Sequence, residues 1–221
     1  MKNKAVVLLS GGLDSAVTLY WAKKQGYKCH CLIFDYGQRH KKEILAAKRI
    51  ARKAHCPLEV VKISLPWQGS SLIDKRSDIP MARKPGEIPS TYVPARNIIF
   101  LSFALSFAEA IKSGTVFIGA HIQDYSGYPD CRPEFLSAFD HAAKCGTKTG
   151  TTGKGVVIKT PLIDMHKSQI IQLGIDLGVD FKDTWSCYKG LRLPCGKCDS
   201  CHYRNHGFSQ LGMVDPLTKK R

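Results

Sequence analysis

The chain has 221 residues, 43% hydrophobic and 23% charged, the composition of an ordinary globular domain large enough to bury its own core. The longest apolar run, residues 98–110, is broken by Ser102, Ser106 and Glu109, and the run after Met1-Lys2-Asn3-Lys4 is too short for a secretory leader, so a membrane span is excluded and a cytoplasmic location is expected. Lys and Arg number 33 against 18 Asp and Glu, a net charge of +15 that attracts polyanions; yet the basic residues are scattered, in small groups at Lys41-Lys42, Lys75-Arg76, Arg83-Lys84 and Lys219-Lys220-Arg221, with no basic and aromatic stripe, and stable nucleic-acid binding is not expected.

In chain order, residues 5–10 read as a buried strand and 14–25 as a helix ended by Gly26. A strand at 29–34, a helix at 40–55 stopped before Pro57 and a strand at 58–63 follow. Residues 96–112 form a long helix with Gly114 beyond it, 115–119 a fourth strand, 133–143 a helix, 155–158 a short fifth strand, and 166–177 a helix closed by Gly178. Strand and helix alternate, which predicts a parallel sheet with helices on both faces and a site at the carboxyl ends of the strands. Residues 66–94, with five prolines, and 146–155, rich in Gly, Thr and Lys, read as loops. Neither marks a domain boundary: one domain is expected, a core at 1–180 with a C-terminal extension at 181–221 packed on it.

Between the first strand and the first helix lies Ser10-Gly11-Gly12-Leu13-Asp14-Ser15. Glycines let the backbone turn tightly and aim N–H groups at an anion, and the helix start adds more donors and a positive dipole end. Ser10 and Ser15 can donate hydroxyl bonds; Asp14 is a candidate for a magnesium ion or for the helix cap. The string differs from GxxxxGK[ST] and from GxGxxG.

The nine cysteines are an odd number without a secretion signal, which points to reduced thiols and a metal site rather than a disulfide framework. Cys187, Cys195, Cys198 and Cys201 fall within fifteen residues and end in CxxCxxC, a spacing that lets four thiolates converge on zinc. With all four positions filled by protein the ion is structural. An iron–sulfur cluster, a redox CxxC and His202 as a substitute ligand are the competing assignments. The other five, Cys29, Cys31, Cys56, Cys131 and Cys145, read as core or surface residues, Cys131 being the least certain.

The SGGLDS loop resembles the signature of the PP-loop ATP pyrophosphatases, in which the loop holds the pyrophosphate of ATP while the α-phosphorus is attacked. That resemblance implies an adenine nucleotide alpha hydrolase-like, Rossmann-like fold, ATP with Mg²⁺, and ATP contacts along Leu9, Ser10, Gly11, Gly12, Leu13, Asp14, Ser15, Ala16, Val17, Thr18 and Leu19. Further strings narrow it: Phe34-Asp35-Tyr36-Gly37-Gln38-Arg39-His40, Tyr92-Val93-Pro94-Ala95-Arg96-Asn97, Asp124 to Phe135, and Thr184-Trp185-Ser186-Cys187-Tyr188. Together, and in this order, they resemble the 7-cyano-7-deazaguanine synthase family over nearly the whole chain.

The resemblance implies two adenylations of 7-carboxy-7-deazaguanine, with ammonia entering between them, and a homodimer. Arg96 could clamp a carboxylate or phosphate, and Lys167, which follows Pro161-Leu162-Ile163-Asp164, could face phosphate. Asp130, Arg132 and Glu134 could read the edge of a guanine-like base, and Tyr125 or Tyr128 could stack on it. His121 reads more naturally as a core histidine. Two other readings stay open at this point: a PP-loop enzyme acting on tRNA itself, supported by the charge, and a non-enzymatic zinc-ribbon interaction module.

Overall fold

The computed structural model describes residues 3–218, except 68, 75, 82–86 and 126 and the side chain of Tyr125. The basic residues Lys75, Arg83, Lys84 and Lys219–Arg221, and the Tyr125 ring, lie outside the described residues.

Strand β1 (Lys4–Leu8) runs into helix α1 (Leu13–Lys24), and β2 (Lys28–Asp35) into α2 (Lys42–Lys53). Then come β3 (Leu58–Lys62), α3 (Arg96–Ala110), β4 (Thr115–Phe117) and the single turn α4 (Ile122–Tyr125). Helix α5 (Pro133–Gly146), the turn α6 (Lys148–Thr151), β5 (Val157–Lys159), α7 (Lys167–Asp176) and α8 (Asp199–Gln210) complete the order. The five strands pair in parallel in the order β3-β2-β1-β4-β5. The expected α/β sheet is therefore present, and its order reverses between β1 and β4. A crevice opens at such a reversal, beyond the carboxyl ends of the two strands.

Strand alternation builds a core on each face. Ala5, Val7 and Leu9 join Cys29, Cys31, Ile33 and Phe117 under α1, α2, α7 and α8. Their neighbours Val6, Leu8, Leu32, Phe34 and Val116 pack with α3 and α5 on the other face. Side chains pointing alternately up and down a strand buried on both faces require this near-continuous apolar run.

Three departures from the sequence reading matter. The stretch 146–155 contains α6, capped by Thr147, whose hydroxyl accepts from Gly150 N at 3.0 Å. The fifth strand begins later than expected, at Val157. Residues 199–210, unassigned from sequence, form α8, which lies against α7 with Gly207 pressed onto Lys167 and Ile171. Arg204 of α8 anchors this segment: it donates to both carboxylate oxygens of Asp215 at 2.8 and 3.0 Å, to Thr184 at 2.7 Å and to the Phe181 carbonyl at 3.1 Å. Both partners of that ion pair are almost wholly buried, with 4% and 3% of their side-chain surface exposed.

Candidate active site

The loop Ser10–Ser15 lies in the crevice between β1 and β4. Gly11 has φ of +85°, and a Cβ there would land on the Glu43 carbonyl oxygen and 2.8 Å from Ala47 N, so the loop packs against the first turns of α2 as only glycine permits. Its carbonyl accepts from Trp185 N at 2.8 Å. Gly12 is the N-cap of α1; its own amide donates to Ser10 Oγ at 3.3 Å, and no cap side chain takes up the amides that follow it. Ser10 donates to Ser15 Oγ at 3.0 Å, and Ser15 to the Gly12 carbonyl at 3.1 Å. Across the crevice, a Cβ at Gly119 would stand 2.8 Å from Thr18 Oγ1, so β4 approaches α1 closely.

Asp14 does not cap α1. Its Oδ1 accepts from Lys167 Nζ at 2.6 Å, and its Oδ2 lies 3.6 Å from His121 Nε2. Burial pushes its carboxyl up, but Lys167 and His121 outweigh that and hold it well below the usual carboxylate range. Lys167, 8% exposed, also points at His121 Nε2, 2.8 Å away. Gln123 Oε1 lies 3.0 Å from His121 Nδ1; burial lowers the pKa of His121, but the carboxylates of Asp14 and Asp124 outweigh that and raise it. His121 is thus a buried residue of the site.

A cavity of about 270 Å³ extends from the loop. Leu9, Ser10, Gly12, Asp14 and Ser15 line it, whereas Leu13 lines a second cavity beside it. Ala16, Val17 and Leu19 have no exposed surface and face the core, and Thr18 donates to the Asp14 carbonyl at 2.9 Å. One wall is aromatic: Phe34 stacks on Phe100 with centroids 3.9 Å apart, and Tyr36 meets Phe100 edge-on. Trp185, Ser186 and Tyr188 also line the cavity.

Arg96 and Glu43 join Asp14 and Asp124 as charged residues of the cavity lining. Arg96 begins α3, following Ala95, whose left-handed φ of 54° sharpens the turn. The guanidinium lies 5.9 Å from the Phe100 ring centre and 3.5 Å from the Tyr36 hydroxyl, and its buried Nε has no partner. It lies in the cavity, off the helix surface. Glu43 shares the cavity, and burial pushes its carboxyl up to about 7 against the pull of Arg96.

Asp130, Arg132 and Glu134 are placed differently from expectation. Asp130 is 5% exposed, and its Oδ2 accepts from Asn97 N at 2.9 Å, holding the start of α3. Arg132 and Glu134 are exposed, at and just after the N-cap of α5. None of the three lines the cavity; from their loop Cys131 does, its thiol raised by burial and hence protonated. Tyr128 also lines it, its hydroxyl 2.9 Å from Thr91 Oγ1.

The family described as "Queuosine biosynthesis protein QueC" matches residues 4–212 of the chain. The chain belongs to the QueC family. Curated relatives of this QueC chain are half identical over nearly full length. The 7-cyano-7-deazaguanine synthase of Nostoc punctiforme is 51% identical over 220 residues, covering 97% of this chain and 98% of that protein. That of Hydrogenovibrio crunogenus is 50% identical over 221 residues, covering 97% and 94%. Among solved structures, NMN synthetase from Francisella tularensis matches with a TM-score of 0.53 at 17% identity, over 96% of this chain and 78% of its own; the likeness is one of fold.

The QueC chain also brings Cys187, Cys195, Cys198 and Cys201 together, their sulfurs all within 4.8 Å of one another. They are the one such group among the described residues. Zinc–sulfur bonds of about 2.3 Å in a tetrahedron set sulfurs about 3.8 Å apart; Cys195 and Cys201 stand at 3.9 Å. Backbone amides of Lys189 and Cys195 point at the Cys187 sulfur, and those of Lys197 and Cys198 at the Cys195 sulfur, which favours thiolates. The four residues therefore fit a single metal ion.

Sequence reasoning named Tyr188 only within the string Thr184-Trp185-Ser186-Cys187-Tyr188 and did not single out Glu43 or Phe100. Glu43 lies in the first turn of the helix against which the loop packs, and it becomes visible only when that packing partner is known.

Proposed function

We propose that this chain is a 7-cyano-7-deazaguanine synthase, acting on 7-carboxy-7-deazaguanine, ammonia and ATP on the way to queuosine. The observation that carries the reading is the half-identity with curated synthases along the whole chain. The cavity supports it: the glycine loop and the aromatic side chains of Phe34, Tyr36 and Phe100 line one space, as adenylation of a planar acid needs.

The backbone amides at the start of α1 hold the departing pyrophosphate, with Ser10 and Ser15 as hydroxyl donors. The acid's carboxylate attacks the α-phosphorus, a P–O bond forms, and pyrophosphate leaves. Ammonia then attacks the carboxyl carbon and AMP departs with one carboxylate oxygen. The amide oxygen takes a second adenylyl group; loss of AMP with the remaining oxygen, and of protons from nitrogen, gives the nitrile. Two ATP thus become two AMP and two pyrophosphate.

Arg96 orients the carboxylate by its planar fork, and its unpartnered Nε supports that role. Lys167 acts through Asp14, fixing the loop and adding positive charge beside the phosphates. Magnesium accompanies ATP. Zinc in the four-thiolate site holds Trp185 and Tyr188 in the cavity wall; a cluster of several irons would spread the sulfurs further. The core and the extension 181–221 act as one domain. A homodimer in the cytoplasm completes the reading: the exposed Ile98 and Phe103 of α3 suit a second copy, and nine cysteines without a disulfide suit a reducing compartment.

The experiment is mass spectrometry of zinc-loaded protein with 7-carboxy-7-deazaguanine, ammonium, ATP and Mg²⁺. Nitrile formed with two AMP per product is the expected result. AMP and pyrophosphate without amide or nitrile would overturn the acceptor and leave only the adenylating loop.

A further inference from the structure

Helix α8 carries a motif that neither the cavity nor the cysteine group uses. His202-Tyr203-Arg204-Asn205-His206 places two histidines four residues apart, one turn from each other on one face of the helix. By its position after Cys201, His202 was a candidate substitute ligand, but it is not among the residues whose ligand atoms converge there. Its ring faces His206 instead. Both imidazoles are exposed, their centres 6.3 Å apart and their planes within 4° of parallel. Among the described residues no hydrogen bond or ion pair engages either ring.

The geometry suits one metal ion. Metal–imidazole bonds of about 2.0–2.1 Å allow two rings on the same ion to have centres up to roughly 6.5 Å apart, and this pair stands within that limit. Cys201, Arg204, Gly207 and Phe208 are buried on the other side of α8, so the helix is held in place and the spacing of the two histidines with it. The exposed rings are free to turn their nitrogens towards the ion, and water completes its coordination. Imidazole selects zinc, nickel(II) and copper(II), whereas magnesium and calcium seek oxygen. Two histidines at this spacing on one helix face are the ligand pair of HExxH metal sites; here Tyr203 stands where those sites carry their glutamate base, so the chemistry is binding alone.

We infer that His202 and His206 form a second metal site on the outer face of α8, taking a divalent ion that prefers imidazole. With two protein ligands against four thiolates, it fills after the cysteine group. The bound ion staples successive turns of the helix that begins at Cys198, carries Cys201 and sets Gly207 against Lys167. Occupancy therefore stabilises the fold. The site stands independently of the synthase reading.

The test titrates nickel(II) into zinc-loaded protein by calorimetry, with zinc content and thermal unfolding followed in parallel. The wild type takes up one equivalent of nickel, keeps its zinc, releases the nickel to free imidazole and melts at a higher temperature with nickel than without. His202→Ala and His206→Ala each keep the zinc and the nickel-free Tm but lose the nickel equivalent and the rise in Tm. His141→Ala is the control. It removes an exposed histidine of α5 that also has a metal-ligating neighbour four residues on, Cys145 Sγ at 3.6 Å, and it leaves nickel uptake unchanged. The site is overturned if the wild type takes up no nickel, if uptake survives in both α8 variants, if uptake is lost in His141→Ala, or if zinc leaves in step with nickel binding.

Discussion

Lys167 Nζ lies 2.6 Å from Asp14 Oδ1, joining the start of α7 to the start of α1 across 153 positions of sequence. The bond ties the anion-binding loop to the far side of the sheet reversal, and His121 from the end of β4 closes the triangle at 2.8 Å from Lys167. Removing either charge leaves the other buried and uncompensated, a situation that typically costs about 3–5 kcal/mol. Lys167→Met and Asp14→Asn are each expected to lower acid-dependent pyrophosphate release at least about a hundredfold. The double variant should lose little more than either single one, because both remove the same pair. Losses that multiply in the double variant would show that the two residues act separately.

Gly11→Ala tests the loop's packing. The new methyl would meet backbone of Glu43 and Ala47, which cannot swing aside like a flexible side chain, and the residue would be held at φ of +85°. Overpacking and a left-handed alanine together cost on the order of 1–3 kcal/mol. The expected outcome is a folded protein with lowered thermal stability and a sharply raised KM for ATP. Unaltered ATP kinetics would mean that the loop can reach its geometry without Gly11 against α2.

The four-cysteine group couples to the cavity through a short run of chain. Trp185 donates from Nε1 to the Cys187 carbonyl at 2.8 Å and from its amide to Gly11, so the first ligand, the cavity wall and the loop are consecutive links. One equivalent of zinc per chain is expected by metal analysis. Cys198→Ser, or removal of zinc by a chelator, should both destabilise the protein by several kcal/mol and abolish pyrophosphate release, with restoration on adding zinc back to the wild type. Full activity in zinc-free protein would separate the cluster from the cavity.

How far the site was legible depends on what carried each signal. Ser10–Ser15 and the four cysteines are short-range strings, and their chemistry lies within a few residues, so reading them required no knowledge of packing. The short apolar runs of β1 and β2 likewise wrote the sheet, buried on both faces, into the chain. Asp130 was harder: a carboxylate in a polar loop looks the same whether it faces a ligand or, as here, accepts from the amide at the head of α3. His121 looked like core because it is buried, and its contacts with Lys167 and Asp14 come from distant parts of the chain. Glu43 was invisible, since its place in the cavity depends on α2 docking against a loop thirty residues earlier. Helix α8 carries Gly207 within a mixed polar sequence, and its formation follows from docking on α7 and from Arg204, which makes its bonds outside the helix.

Glu43, half-buried in the cavity wall, gives the protein a pH signature. An unfolded glutamate titrates at about 4.5, while the folded one is pushed up to about 7 by burial. Between those values the folded state holds a proton that the unfolded state has released, so stability falls as pH rises through this window and levels off above it. At full effect the shift is worth on the order of 3 kcal/mol. Glu43→Gln has no charge to bury and should lack this component. Urea midpoints taken in steps from pH 4.5 to 7.5 should therefore decline more steeply in the wild type than in Glu43→Gln, with the curves meeting at the acid end. Parallel curves would mean that Glu43 is charged and solvated in the folded protein, and that Arg96 is its counter-ion and not the ligand's clamp.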